Sequence, residues 1–161
     1  LEKKGEYMKH LKWLILAVLL IFSSGCTAVT DTPETDTEKL SIVTTTSFLT
    51  DLVETIGGEQ VAVTGLMGPG IDPHDYQPST SDIIAMGEAD AVIYNGLSLE
   101  ERFREVFEQL GERDVLTLVA GDGLDAGSIL MDQEDGDAQA VDPHIWFSIE
   151  RWKQVTQYLA D

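Results

Sequence analysis

Residues 40–66 read LSIVTTTSFLTDLVETIGGEQVAVTGL. Leu40 to Thr45 is apolar and β-branched, and reads as a strand. Phe48, Leu49, Leu52, Val53 and Ile56 then recur at helical spacing, with Ser47 as the candidate cap and Gly57-Gly58 as the stop. Gln60 to Leu66 returns to strand character. Strand, helix, strand is a β-α-β unit, and its helical crossover makes the two strands parallel.

The same alternation continues outward. Ser79 to Glu88 reads as a short helix, with Ser79 and Asp82 as start signals and Ile83, Ile84 and Met86 as its apolar contacts. Asp90 to Tyr94 is a third strand, closed by Asn95-Gly96. Leu99 to Leu110 carries a stripe of Leu99, Phe103, Val106, Phe107 and Leu110, and Gly111 ends it. Its remaining residues, Glu100 among them, read as the charged outer face. Asp114 to Val119 is a fourth strand. A Gly- and Asp-rich loop follows from 121 to 142, and a last helix opens at Ser148. The expectation is therefore an α/β fold, with a parallel four-stranded sheet and helices on both faces. Such sheets gather ligands beyond the carboxyl ends of their strands.

Composition narrows the function. Twenty-nine acids against 10 bases give a formal charge of −19 over 161 residues, and 43% of residues are hydrophobic. A surface of that sign repels phosphate backbones and anionic headgroups and draws cations. The acids of the 121–142 loop, Asp132, Glu134, Asp135 and Asp137, read as a solvated run. No EF-hand spacing is present, and Gly68-Pro69-Gly70 matches no phosphate-binding glycine motif, so it reads as a turn.

The N-terminus reads as an address. Lys9, His10 and Lys12 precede an apolar run from Trp13 to Phe22, which is the length of a signal-peptide core. Ser23-Ser24-Gly25-Cys26 follows and resembles the cleavage box of bacterial lipoproteins, with Ser23 where Leu is usual. Cys26, the sole cysteine, is then the expected lipid attachment point. The plain alternative is an ordinary signal peptide with an incidental cysteine. Leu1–Tyr7 reads as an over-extended start ahead of Met8. Residues 1–26 are thus expected to be start and signal, 27–39 a flexible acidic tether, 40–147 a folded lobe, and 148–161 the start of a helix leading to a second lobe.

Two histidines lie beyond Cys26, and both sit in the same tripeptide: Asp72-Pro73-His74 and Asp142-Pro143-His144. An aromatic follows each, Tyr76 and Trp146. Neutral imidazole is the common nitrogen ligand for zinc and also binds manganese. Proline stiffens the approach to each ring. Asp72 and Asp142 are candidates either to orient the ring through its other nitrogen or to cap backbone amides. Both motifs fall at strand ends of one sheet edge, so His74 and His144 are expected to converge. The alternative is a pair of ordinary turn residues. Tyr76, Trp146 and Trp152 read as packing.

LMGPGIDPHDYQPSTSDIIAMGEADAVIYNGLSLEERF and VDPHIWFSIERW resemble the metal-binding solute-binding proteins of bacterial zinc and manganese ABC importers, the cluster A-I family. The resemblance runs from about Leu40 to the end. It implies two lobes joined by a long helix, with a Zn²⁺ or Mn²⁺ ion in the cleft between them. It makes His74 and His144 metal ligands of the first lobe, with two more ligands from a second lobe. It further implies an extracytoplasmic, lipid-anchored monomer that hands its ion to an ABC permease and its ATPase and catalyses nothing. Gln77 and Ser148 stand where many members have Glu and Asp, and the 121–142 loop lacks a histidine-rich run. Those departures bear on which metal is bound. One rival is a surface adhesin in which the motifs are only structural. Another is a metallohydrolase, which needs a general base beside an open metal position. No His-Glu-x-x-His helix is present to supply one.

Overall fold

The computed structural model describes residues 38–113, 115–131 and 141–161. Eight regular elements follow in order: β1 (Leu40–Thr44), α1 (Ser47–Gly57), β2 (Val61–Gly65), α2 (Thr80–Glu88), β3 (Ala91–Tyr94), α3 (Arg104–Glu112), β4 (Leu116–Val119) and α4 (Ile149–Ala160). The four strands form one parallel sheet in the order β2-β1-β3-β4. From β1 the chain steps one way to β2, then crosses to β3 and β4 on the other side. Strand order therefore reverses between β1 and β3, and their carboxyl ends flank the crevice where such sheets place ligands.

Successive residues on a strand face opposite sides, and each side has its own core. Val43 and Val92 pack with Met67, Met86 of α2, and Phe103, Val106 and Leu110 at and in α3. Ile42 and Ile93 pack on the other side with Leu49, Leu52 and Val53 of α1, together with Ala120, Ile145 and Val155 of α4. Helices cover both faces, as the alternation predicts. Val155 is fully buried there, so α4 is packed into this lobe. Among the described residues no helix is long and apolar enough to cross a membrane.

Local details differ from the sequence reading where tertiary packing outweighs periodicity. The cap of α1 is Thr46, one residue before Ser47, and its hydroxyl accepts from Leu49 N. Phe48 and Ile56 sit at the ends of α1 and are exposed. Ser79 does cap α2, in a reciprocal box with Asp82. Of the three apolar residues assigned to the buried face of α2, only Met86 is buried. Ile83 and Ile84 are exposed. Ser148 caps α4.

The largest departure is at residues 96–103. The helix expected from Leu99 begins as a 3-10 turn over Glu101–Phe103 and becomes α only at Arg104. Leu97 and Ser98 both have positive φ, 55° and 65°, after Gly96 at 75°. That tight turn rotates Glu100 inward. Glu100 was assigned to the charged outer face, yet it is only 4% exposed. The 121–142 loop contains 3-10 turns at Ala120–Gly123 and Ala126–Ser128 and a bridge between Met131 and Val141. Asp114, the acids from Asp132 to Asp137, Cys26 and the segments up to residue 37 lie outside the described residues.

Candidate metal centre

Each Asp-Pro-His motif is held down by a separate set of contacts. The first follows β2. Leu66 N and Met67 N donate to Thr44 O and Thr45 O, both at 2.9 Å, and extend the β1–β2 pairing into the loop. Gly70, at φ 82°, turns the chain back. Tyr76 stacks on Phe103 and donates its hydroxyl to Asp82 at 2.9 Å. The Arg102 guanidinium donates to His74 O at 3.4 Å and to Asp75 at 3.3 Å. The second motif is fixed from beneath. Asn95, fully buried at the end of β3, donates its amide to Pro143 O at 3.0 Å. Ile145 is buried in the second core, and Trp146 stacks on Phe48 at 4.8 Å. Tyr76, Trp146 and Trp152 thus pack, as read from the sequence.

These contacts bring the two rings together. His74 Nε2 lies 3.4 Å from His144 Nε2. The aspartates, between whose two roles the sequence does not choose, turn out to differ. Asp72 Oδ1 accepts from His74 N at 2.9 Å, a backbone role. Asp142 Oδ1 accepts from His144 N at 3.0 Å and also meets His144 Nδ1 at 2.8 Å. A carboxylate only accepts, so His144 Nδ1 donates, which in the neutral ring leaves the lone pair on Nε2, the nitrogen 3.4 Å from His74 Nε2. Partial burial pushes Asp142 up. Hydrogen bonds from the backbone and ring of His144, with the charges of His144 and Arg151, outweigh it and hold the carboxyl below its usual range.

The 3.4 Å separation is compatible with two geometries. Two nitrogens bound to one tetrahedral zinc at about 2.0–2.1 Å lie roughly 3.3–3.4 Å apart. As a hydrogen bond between rings the same distance is long. His74 is exposed and the His144 side chain is 39% exposed, and Phe147 beside His144 is 79% exposed. Among the described residues no group of three or more His, Cys, Asp and Glu side chains is placed to hold an ion. The two rings stand together without a third such side chain beside them among the described residues.

Residues 42–161 match the family described as zinc-uptake complex component A, periplasmic. The chain belongs to that family. MntA of Bacillus subtilis, a manganese-binding lipoprotein, is 39% identical over 115 residues, which is 71% of this chain and 36% of the relative. The zinc-binding protein TroA of Treponema pallidum is 38% identical over 112 residues, 69% of this chain and 34% of the relative. The solved structure of that periplasmic zinc-binding protein superposes with a TM-score of 0.68 at 34% identity, covering 75% of this chain and 42% of that one. This chain spans less than half the length of those curated relatives. The solved TroA structure thus shares the lobe fold seen here, and both relatives are named for the metals they bind.

Glu100 went unrecognised as a site-supporting residue. Its Oε1 accepts from Thr45 Oγ1 at 2.7 Å and Asn95 N at 2.9 Å, and its Oε2 accepts from Gly96 N at 3.1 Å. It ties the ends of β1 and β3 together under Asn95, which in turn holds the His144 loop. Burial raises its carboxyl above the usual range against the lowering effect of these bonds. The available signal was the Asn95-Gly96 turn itself. Two consecutive backbone N–H groups at a buried strand end need an acceptor, and Glu100 is the acid within reach.

Proposed function

We propose that this chain is the metal-capturing lobe of an extracytoplasmic substrate-binding lipoprotein, which takes a Zn²⁺ or Mn²⁺ ion as cargo and delivers it to an ABC permease driven by its ATPase. His74 and His144 bind the ion through Nε2. Asp142 orients the His144 ring and strengthens it as a donor, and Asp72 shapes the backbone under His74. The observation that carries the reading is the 3.4 Å between the two Nε2 atoms. The names and greater length of the relatives support a second lobe that completes the coordination shell. In this reading Cys26 carries the lipid, residues 27–39 form the tether, residues 40–147 form the lobe, and α4 leads toward the second lobe. The protein's work is binding and release, with no bond made or broken in the cargo.

Both imidazoles must be neutral to bind, so protons compete with the ion. Equilibrium dialysis against equal zinc, manganese, magnesium and calcium is expected to leave one equivalent of transition metal on the protein at about pH 7.5. Most of it should leave at about pH 5. Calcium and magnesium prefer oxygen ligands and should stay in solution. Retention that ignores pH, or that favours calcium, defeats the proposal.

A further inference from the structure

Arg151 lies in the first turn of α4, and its side chain is only 11% exposed, against 48% for Arg102 and 66% for Arg104. A cation is poorly placed there. The amino end of a helix is already partly positive, and burial strips the guanidinium of water. Compensation comes from Asp142, whose Oδ2 lies 3.8 Å from Arg151 Nη1. That distance is too long for a hydrogen bond, and among the described residues Nη1 is buried with no hydrogen-bond partner. The pairing is one of charge. The other oxygen of the same carboxylate, Oδ1, holds the backbone and ring of His144 at 3.0 and 2.8 Å. One negative charge is thus shared between a guanidinium and an imidazole.

We infer that Arg151 is a positioning residue that restrains the metal affinity of His144 by drawing on the charge of Asp142, so that the captured ion stays releasable. The inference rests on the metal-capture reading. A full carboxylate charge on the distal N–H makes an imidazole a stronger donor, and a shared charge does so less. The guanidinium also repels a dication bound nearby. Both effects lower affinity. A merely structural arginine has the opposite signature, because its loss loosens Asp142 and weakens binding.

The test is zinc affinity of the full chain by competition with a chromophoric chelator, alongside thermal melts. Arg151→Gln is expected to bind zinc roughly three- to tenfold more tightly than the parent protein. Arg151→Lys keeps the charge and should return affinity to near the parent value. On an Asp142→Asn background, Arg151→Gln should change affinity little, since the effect runs through that carboxylate. Arg151→Met, whose stem fills the same slot, decides the matter if Arg151→Gln does not fold. Equal or weaker zinc binding in the folded variant overturns the inference, as does an undiminished gain on the Asp142→Asn background. A parent protein that binds no zinc, or binds it indifferently to His74→Ala, fails differently: it removes the metal-capture reading itself and the inference with it.

Discussion

His144→Ala is expected to weaken zinc and manganese binding by more than about 100-fold, and His74→Ala by a similar factor. Loss of an outer partner of a metal-bound histidine typically costs about 10- to 100-fold, and loss of the donor itself costs more. The two aspartates separate on the same scale. Asp142→Asn removes the carboxylate at 2.8 Å from His144 Nδ1 and should cost about 10- to 100-fold. Asp72 accepts from a backbone amide, so Asp72→Asn, which keeps a side-chain oxygen, should cost less. Competition with a chelator measures all four. His74 is exposed, so its alanine variant should melt within about 0.5 kcal/mol of the parent, and His144→Ala, which gives up the ring bond to Asp142, within about 1.5 kcal/mol. A large loss of stability in either variant would instead give these histidines a structural role.

Glu100→Ala acts on stability. It strands Thr45 Oγ1, Asn95 N and Gly96 N at the buried ends of β1 and β3. Each stranded buried donor costs about 1–3 kcal/mol, so a loss of at least about 3 kcal/mol is expected. That is a large share of the roughly 5–15 kcal/mol typical of a domain. Urea unfolding measures it. Glu100→Gln keeps one acceptor oxygen and should recover part of the loss. The pH dependence has a definite sign. Burial raises the carboxyl in the folded state, so the folded protein holds its proton to higher pH than the unfolded chain. The stability Glu100 contributes is therefore complete below the ordinary glutamate range and is lost as pH rises through the raised value. Stability of the parent relative to Glu100→Gln should fall over that window, and a rise would contradict the burial argument.

How much of this was legible in the sequence follows from which forces each feature depends on. The sheet and its two helical layers come from hydrophobic period, and period is local: Leu49, Leu52 and Val53 identify α1, and Val43 and Val92 the strands. The convergence of His74 and His144 was legible because each ends a loop at the same sheet edge and repeats the same tripeptide. What was not legible depends on direction. Periodicity placed Glu100 on an outer face because it assumed a helix from Leu99, whereas the positive φ at Leu97 and Ser98 delays the helix and turns the side chain inward. Ile83 and Ile84 fit a helical stripe, but they stay 36% and 54% exposed. The division of labour between Asp72 and Asp142 could not be read at all. Identical tripeptides place both near a backbone amide, and only the ring orientation of His144 brings its Nδ1 to the carboxylate.

The central claim is that His74 and His144 form one half-built site for a single ion. It is tested most directly by titrating zinc into the protein while following the ring protons of both histidines by NMR. Both signals should move together and saturate at the same single equivalent. Two signals that titrate independently, or rings that stay unchanged while zinc binds elsewhere, would contradict it.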